Sequence, residues 1–158
     1  MSPAPTKTDA RALAAKGLAE VALRGASLRD VMERYAPRLS DPRDRALLMA
    51  LLSEGARWWL RFDAAIDGLL EKSLRHKDPA IHALLVIGLV QLEILEMPAY
   101  AAVAATVQAT RALQRPRMAG LVNAVLRRWQ RERETLLAEL DAKPQTRHAC
   151  PIHAIARC

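Results

Sequence analysis

Apolar residues recur along this chain with the spacing of α-helices. The clearest instance is Arg115 to Trp129, where Met118, Leu121, Val122, Val125, Leu126 and Trp129 fall at i, i+3, i+4, i+7, i+8 and i+11. At about 100° per residue this is one helix face, and Arg117, Arg127, Arg128 and Arg131 project to the other side. Nearer the N-terminus, Asp9 predicts a cap on a helix that runs to about Arg24 and ends at Gly25. Its stripe is Ala10, Leu13, Ala14, Gly17, Leu18 and Val21. Ser27 with Asp30 three residues on predicts a short helix to Tyr35, closed by Pro37. Ser40-Asp41-Pro42 opens another, with proline in the first turn, where its missing N–H costs little. Its apolar pattern passes Gly55 and continues to Leu74, which fits one kinked helix or two helices meeting near Gly55.

Asp78-Pro79 is the sharpest start signal, a capping carboxylate before proline at the first helical position. Ala80 to Leu95 is then apolar nearly all round, with His82, Gln91 and Glu93 as exceptions. A helix apolar on every face belongs in the middle of a domain, so this one is expected to be central. Met97-Pro98 breaks it. Ala101 to Leu113 is a helix of small residues, and Arg115-Pro116 turns the chain into the arginine-bearing helix. Glu132 and Arg133 interrupt that helix's stripe before Leu136, Leu137 and Leu140 resume it, which suggests an end that leans off the body.

Composition agrees. Half of the 158 residues are apolar, mostly Ala and Leu, while aromatics make up only 4% and glycines number 6, so the fold class read from the sequence is all-α. Residues 1–8, with two prolines, read as a flexible lead-in, 9–141 as a single helical bundle, and 142–158 as an irregular tail. The net charge is +7, and arginine predominates among the 24 basic residues. Arginine's planar fork suits phosphate, which favours RNA or DNA as partner. A high-GC genome enriches arginine and alanine too, so the charge excess is the stronger signal. Both cysteines, Cys150 and Cys158, lie in the tail, and no apolar run is long enough to span a bilayer. These features point to a cytoplasmic protein with no membrane partner.

Several segments taken together carry a resemblance. They are Asp78-Pro79 with the apolar helix through Gly88-Leu89-Val90-Gln91-Leu92, Met97 to Ala104, Arg115-Pro116 with Gly120-Leu121-Val122-Asn123-Ala124-Val125-Leu126-Arg127, and the weaker Ser53 to Trp58. Their order and spacing resemble the NusB-like helical domain. Within that group they look most like the N-terminal domain of the bacterial 16S rRNA cytosine-C5 methyltransferases. The resemblance implies a NusB-like bundle that binds RNA, 16S rRNA above all. It implies no methyl transfer by this chain. S-adenosylmethionine would belong to a second domain, and no Gly-x-Gly-x-x-Gly loop occurs here to hold it. One departure is Ala105, where the family usually carries an acid; Gln108, three residues on, does not supply one.

The resemblance implies RNA contact by Arg11 and Lys16, because basic residues on the first helix of NusB proteins meet RNA. Charge geometry adds Arg115, Arg117, Arg127, Arg128 and Arg131. Asn123, Pro98 and Gly120 are expected to be structural, Asn123 as a hydrogen-bonding amide to the Met97–Tyr100 turn. Arg57-Trp58-Trp59-Leu60-Arg61-Phe62 interleaves aromatics with arginines, which suits base stacking or, more readily in so aromatic-poor a chain, core packing. No catalytic residue is expected, because Cys150 lacks a base fixed beside it. No metal site is expected either, since His148, Cys150, His153 and Cys158 lack zinc-module spacing. The end of the tail does not continue as relatives do, which suggests a truncated or frame-shifted linker to a missing methyltransferase domain. Two other readings remain open: an antitermination factor that binds boxA-like RNA and ribosomal protein S10, and a helical interaction module that forms a homodimer or docks on a methyltransferase domain.

Overall fold

A computed structural model describes residues 8–150, and every regular element among them is helical. Residues 1–7 of the lead-in and the end of the tail from Pro151, with His153 and Cys158, lie outside the described residues. The N-terminal caps form largely as the sequence suggests. Asp9 accepts hydrogen bonds from the amides of Arg11 and Ala12 and opens α1 (Ala10–Arg24), which Gly25 ends in a left-handed conformation at φ 74°. Ser27 caps α2 (Leu28–Tyr35), and a 3-10 turn containing Pro37 follows. Asp41 caps α3 (Pro42–Arg57).

Of the two arrangements that fit the sequence, two helices form, and they meet at Trp58, three residues past Gly55. There α3 gives way to α4 (Trp59–Leu69). Gly55 lies inside α3 for a packing reason, since a Cβ there would stand 2.8 Å from Leu18 Cδ2. Lacking one lets α3 close onto α1.

The central position falls to α5 (Pro79–Leu89), buried without interruption from Ile81 to Leu89. α1 and α3 pack on one another and on α5, while α4, α6 (Ala99–Ala112) and α7 (Ala119–Arg131) also pack against α5. Leu84, Leu85, Ile87 and Leu89 are fully enclosed, each contributing about 2 kcal/mol at roughly 25 cal/mol per Å² of apolar surface. The apolar run expected to reach Leu95 as one helix changes character at Val90 and ends in a π-helical turn, Val90–Ile94. A second departure lies at its start. Asp78 makes no side-chain cap to α5; its carboxylate instead accepts from Arg115 Nε at 3.1 Å.

The chain past Glu132 does not lean away. α8 (Arg133–Ala142) packs on α7 and α4, and a short α9 (Pro144–Arg147) follows where an irregular tail was expected. Arg61, buried on α4, holds this end: Nη1 donates to Asp141 Oδ1 at 2.7 Å and to the Thr146 carbonyl at 2.9 Å. The Cys150 amide donates to the Arg57 carbonyl at 3.0 Å. None of the described helices is long and apolar enough to cross a membrane.

Candidate nucleic-acid interface

α6 and α7 form a helical hairpin on one side of the bundle. α6 comes close to its neighbours because Ala102, Thr106 and Ala109 are small where it is buried. Pro98 caps its start, and the Pro98 carbonyl accepts from the Ala102 amide. The turn between them bends at Gln114, whose φ is 60°, and the Arg115 amide closes onto the Thr110 carbonyl at 2.8 Å. A 3-10 turn at Pro116–Met118 then leads into α7. α7 buries Val122, Val125, Leu126 and Trp129. Leu121, assigned to the same stripe by spacing, sits at its edge and is exposed, and Met118 is half-buried in the 3-10 turn.

The basic residues singled out by the sequence do not form one patch. Arg11 turns inward: its Nε donates to Gln91 Oε1 at 2.6 Å, and Gln91 in turn donates to Thr106 Oγ1 at 2.8 Å and to the Ile87 carbonyl. Burial lowers the Arg11 pKa from its usual value, opposed by the nearby carboxylates of Asp9 and Asp44. Lys16 is exposed and shares a cleft with Arg24 and Arg115, but Glu20 and Asp78 line it too. Arg115 is held by Asp78. Arg128 donates to Glu132 Oε2 at 2.8 Å and leans towards the Leu69 carbonyl, on the opposite flank of α7 from Arg127. Arg117 and Arg131 are exposed and, among the described residues, join no ion pair. Arg127 is exposed and donates from Nε to Asn123 Oδ1 at 3.2 Å.

That last bond corrects the reading of Asn123, which holds an arginine rather than the Met97–Tyr100 turn. Gly120 is not required structurally, since a Cβ there would meet nothing within 4 Å. The aromatic pair is occupied in the protein: Trp59 is buried against His82, and Trp58 donates its indole N–H to Glu54 Oε2 at 3.1 Å. Among the described residues no cluster of His, Cys, Asp and Glu is arranged to hold a metal ion.

A feature that helix-by-helix reading misses runs across the whole hairpin. Between Glu96 and Glu132 the chain has no acidic residue, yet it carries Arg111, Arg115, Arg117, Arg127, Arg128 and Arg131. Counting charge over a window as long as a hairpin would have found it, and with it Arg111, which lines a cleft beside Arg11. A groove of about 550 Å³ lies along the hairpin between the start of α6 and the middle of α7. Val103 and Val107 line it with Gln108, Gln130 and Arg127, and Tyr100 stands at its edge, 83% exposed.

Comparison with known proteins bears on this arrangement. The pattern of the NusB family matches residues 8–131. The ribosomal RNA small subunit methyltransferase B of Xanthomonas campestris pv. campestris is 48% identical over 122 residues, 77% of this chain and 28% of the relative. The protein of the same name from Escherichia coli O17:K52:H18 is 36% identical over 143 residues, 90% of this chain and 32% of the relative. The chain thus spans about a third or less of the length of these relatives.

Proposed function

The chain belongs to the NusB family, and on that premise we propose that it is an RNA-recognition domain whose ligand is ribosomal RNA of the small subunit, held on the α6–α7 hairpin. The observation that carries this reading is the acid-free hairpin with its arginines. A phosphate backbone approaching it meets the guanidinium groups of Arg117, Arg127 and Arg131, and the hairpin itself contributes no carboxylate to repel it. Arg117, Arg127 and Arg131 are the principal contacts, because their charges are exposed and, among the described residues, no acid pairs with them. Arg115 and Arg128 already face Asp78 and Glu132, and Arg11 serves the core. The ribosomal target is supported by what the relatives are called.

Phosphate contacts position an RNA without reading its sequence, so the expected role is to seat a strand for chemistry carried out elsewhere. No methyl-transfer step is assigned to the described residues. Their glycines sit within helices or at the α1 cap, not on the strand-to-helix loop that receives S-adenosylmethionine's class of cofactor. Titrating a labelled fragment of 16S rRNA with the protein at several salt concentrations tests the reading. Binding should weaken steeply with salt, and R117Q/R127Q/R131Q should weaken it at low salt and flatten the slope. Equal affinity and slope in the triple variant would overturn the assignment of this face.

A further inference from the structure

Tyr100 stands out among the aromatic residues of this protein. Tyr35 is buried and bonds Glu20 through its hydroxyl at 2.7 Å, Phe62, Trp59 and Trp129 are core, and Trp58 bonds Glu54. Tyr100 is 83% exposed in the first turn of α6, and its hydroxyl has no partner among the described residues. An aromatic ring left this bare contributes little to folding and offers a face to a ligand.

What lies beside it indicates which ligand. Val103 and Val107 give the groove an apolar lining, while Gln108 and Gln130 add amides that can both donate and accept. Arg127 sits in the same groove, steadied through Nε by Asn123, which leaves its terminal nitrogens for another acceptor. The other four clefts described on this protein each include a carboxylate: Asp9 and Asp44, Glu33, Glu20 and Asp78, and Glu71. This groove has none. An aromatic platform, amides and an arginine without a competing acid are the elements that hold a splayed-out base and its phosphate.

We infer that the α6–α7 groove is a binding site for one unpaired nucleobase of single-stranded RNA, stacked on Tyr100 with the adjoining phosphate on Arg127. The inference rests on the RNA-recognition reading and makes it more specific. RNA bound by arginines alone would be held whether single- or double-stranded. A base stacked on Tyr100 must be out of its helix, so the groove selects loops, bulges and single strands.

The test uses a short fluorescein-labelled single-stranded RNA of mixed sequence, the same strand annealed to its complement, and the wild-type, Y100A and Y100F proteins in fluorescence anisotropy. Y100A should bind the single strand about tenfold more weakly, within the range of base–aromatic stacking. Y100F should bind like the wild type, and all three should bind the duplex alike. Wild-type affinity of Y100A for the single strand would overturn the base site while leaving RNA recognition standing; a groove that takes a protein chain would give that result. Equal losses on single strand and duplex, or a Y100F as weak as Y100A, would also overturn it. If the wild type binds neither RNA, the recognition reading falls and the base site with it.

Discussion

The indole N–H of Trp129 donates to Glu93 Oε1 at 2.8 Å, tying the far end of α7 to the π-helical turn that ends the central helix. Arg133 grips the same carboxylate with Nε and Nη2, both at 2.8 Å. Glu93 is thus an anchor shared by α7, α8 and the core, and its side chain is only 8% exposed. E93Q keeps the shape but loses the charge that strengthens these bonds. It should lower the free energy of unfolding by about 2 kcal/mol, read from urea denaturation at neutral pH. A midpoint equal to the wild type's would show that the anchor contributes nothing.

Arg61 holds the C-terminal end of the described chain in the same manner. R61A removes the donor shared by Asp141 and the Thr146 carbonyl. Asp141 is exposed and rehydrates readily, so the loss should be about 1–3 kcal/mol rather than that of a stranded buried charge. Hydrogen exchange should locate the effect, with the amides of Thr146, Arg147 and Cys150 exchanging much faster in the variant. Unchanged protection there would mean that α9 is held by other contacts.

Much of this fold is legible in the sequence because it depends on local pattern. The all-round apolar character of Ile81 to Leu89 identifies the central helix, and Asp9, Ser27 and Asp41 cap the helices that follow them. What escapes local reading is decided by distant partners. Asp78 before Pro79 has the form of a cap, but Arg115 claims its carboxylate from 37 residues away. Arg11 lies off the α1 stripe and reads as a surface charge, but Gln91, placed by the π-helical turn, draws it inward. Gly55 has the form of a helix break, yet its lack of a side chain serves Leu18 on a neighbouring helix. At the candidate site the arginines of α7 are visible in the sequence, while Tyr100 is not, because its exposure depends on how α6 sits.

Asp63 gives the stability a defined acid limit. Its carboxylate meets His82 Nε2 at 2.7 Å and accepts from Arg75 Nε and Nη2, both at 3.0 Å. Burial pushes its pKa up, but the hydrogen bonds from His82 and Arg75 outweigh burial and hold it below the ordinary carboxylate value. A depressed folded pKa means that the stabilisation is complete above the unfolded value, about 3.9, and is lost as pH falls through the folded value. The stability advantage of wild type over D63N should therefore shrink as pH falls below about 4. A difference that stays constant down to pH 2 would contradict this account.

Two glycines should respond oppositely to the same substitution. A Cβ at Gly88 would stand 2.7 Å from Leu126 Cδ2, and Leu126 is fully buried with little room to shift. G88A should destabilise by about 1–3 kcal/mol through overpacking. Gly120 is exposed near the start of α7, where a methyl group meets nothing. G120A should stabilise by about 0.5 kcal/mol, because alanine loses less backbone freedom in a helix. Thermal unfolding of both variants would settle it, and a lowered Tm for G120A would show that this position has a packing duty.

Arg11 and Arg117 test whether the protein's arginines separate into structural and ligand-binding sets. Removing the Arg11 guanidinium leaves the buried Gln91 Oε1 without its donor, so R11M should cost about 1–3 kcal/mol of stability. At temperatures where it stays folded, R11M should keep the salt dependence of RNA binding. R117Q removes an exposed charge that joins no ion pair among the described residues, so urea midpoints should not move. Its effect should appear instead in the plot of log K against log salt, flattened by about 0.7 for each phosphate of a single strand that arginine no longer neutralises. The two variants thus exchange readouts, stability for one and salt slope for the other. If R117Q lowered stability and R11M flattened the slope, the roles given to the inner and outer arginines would be reversed.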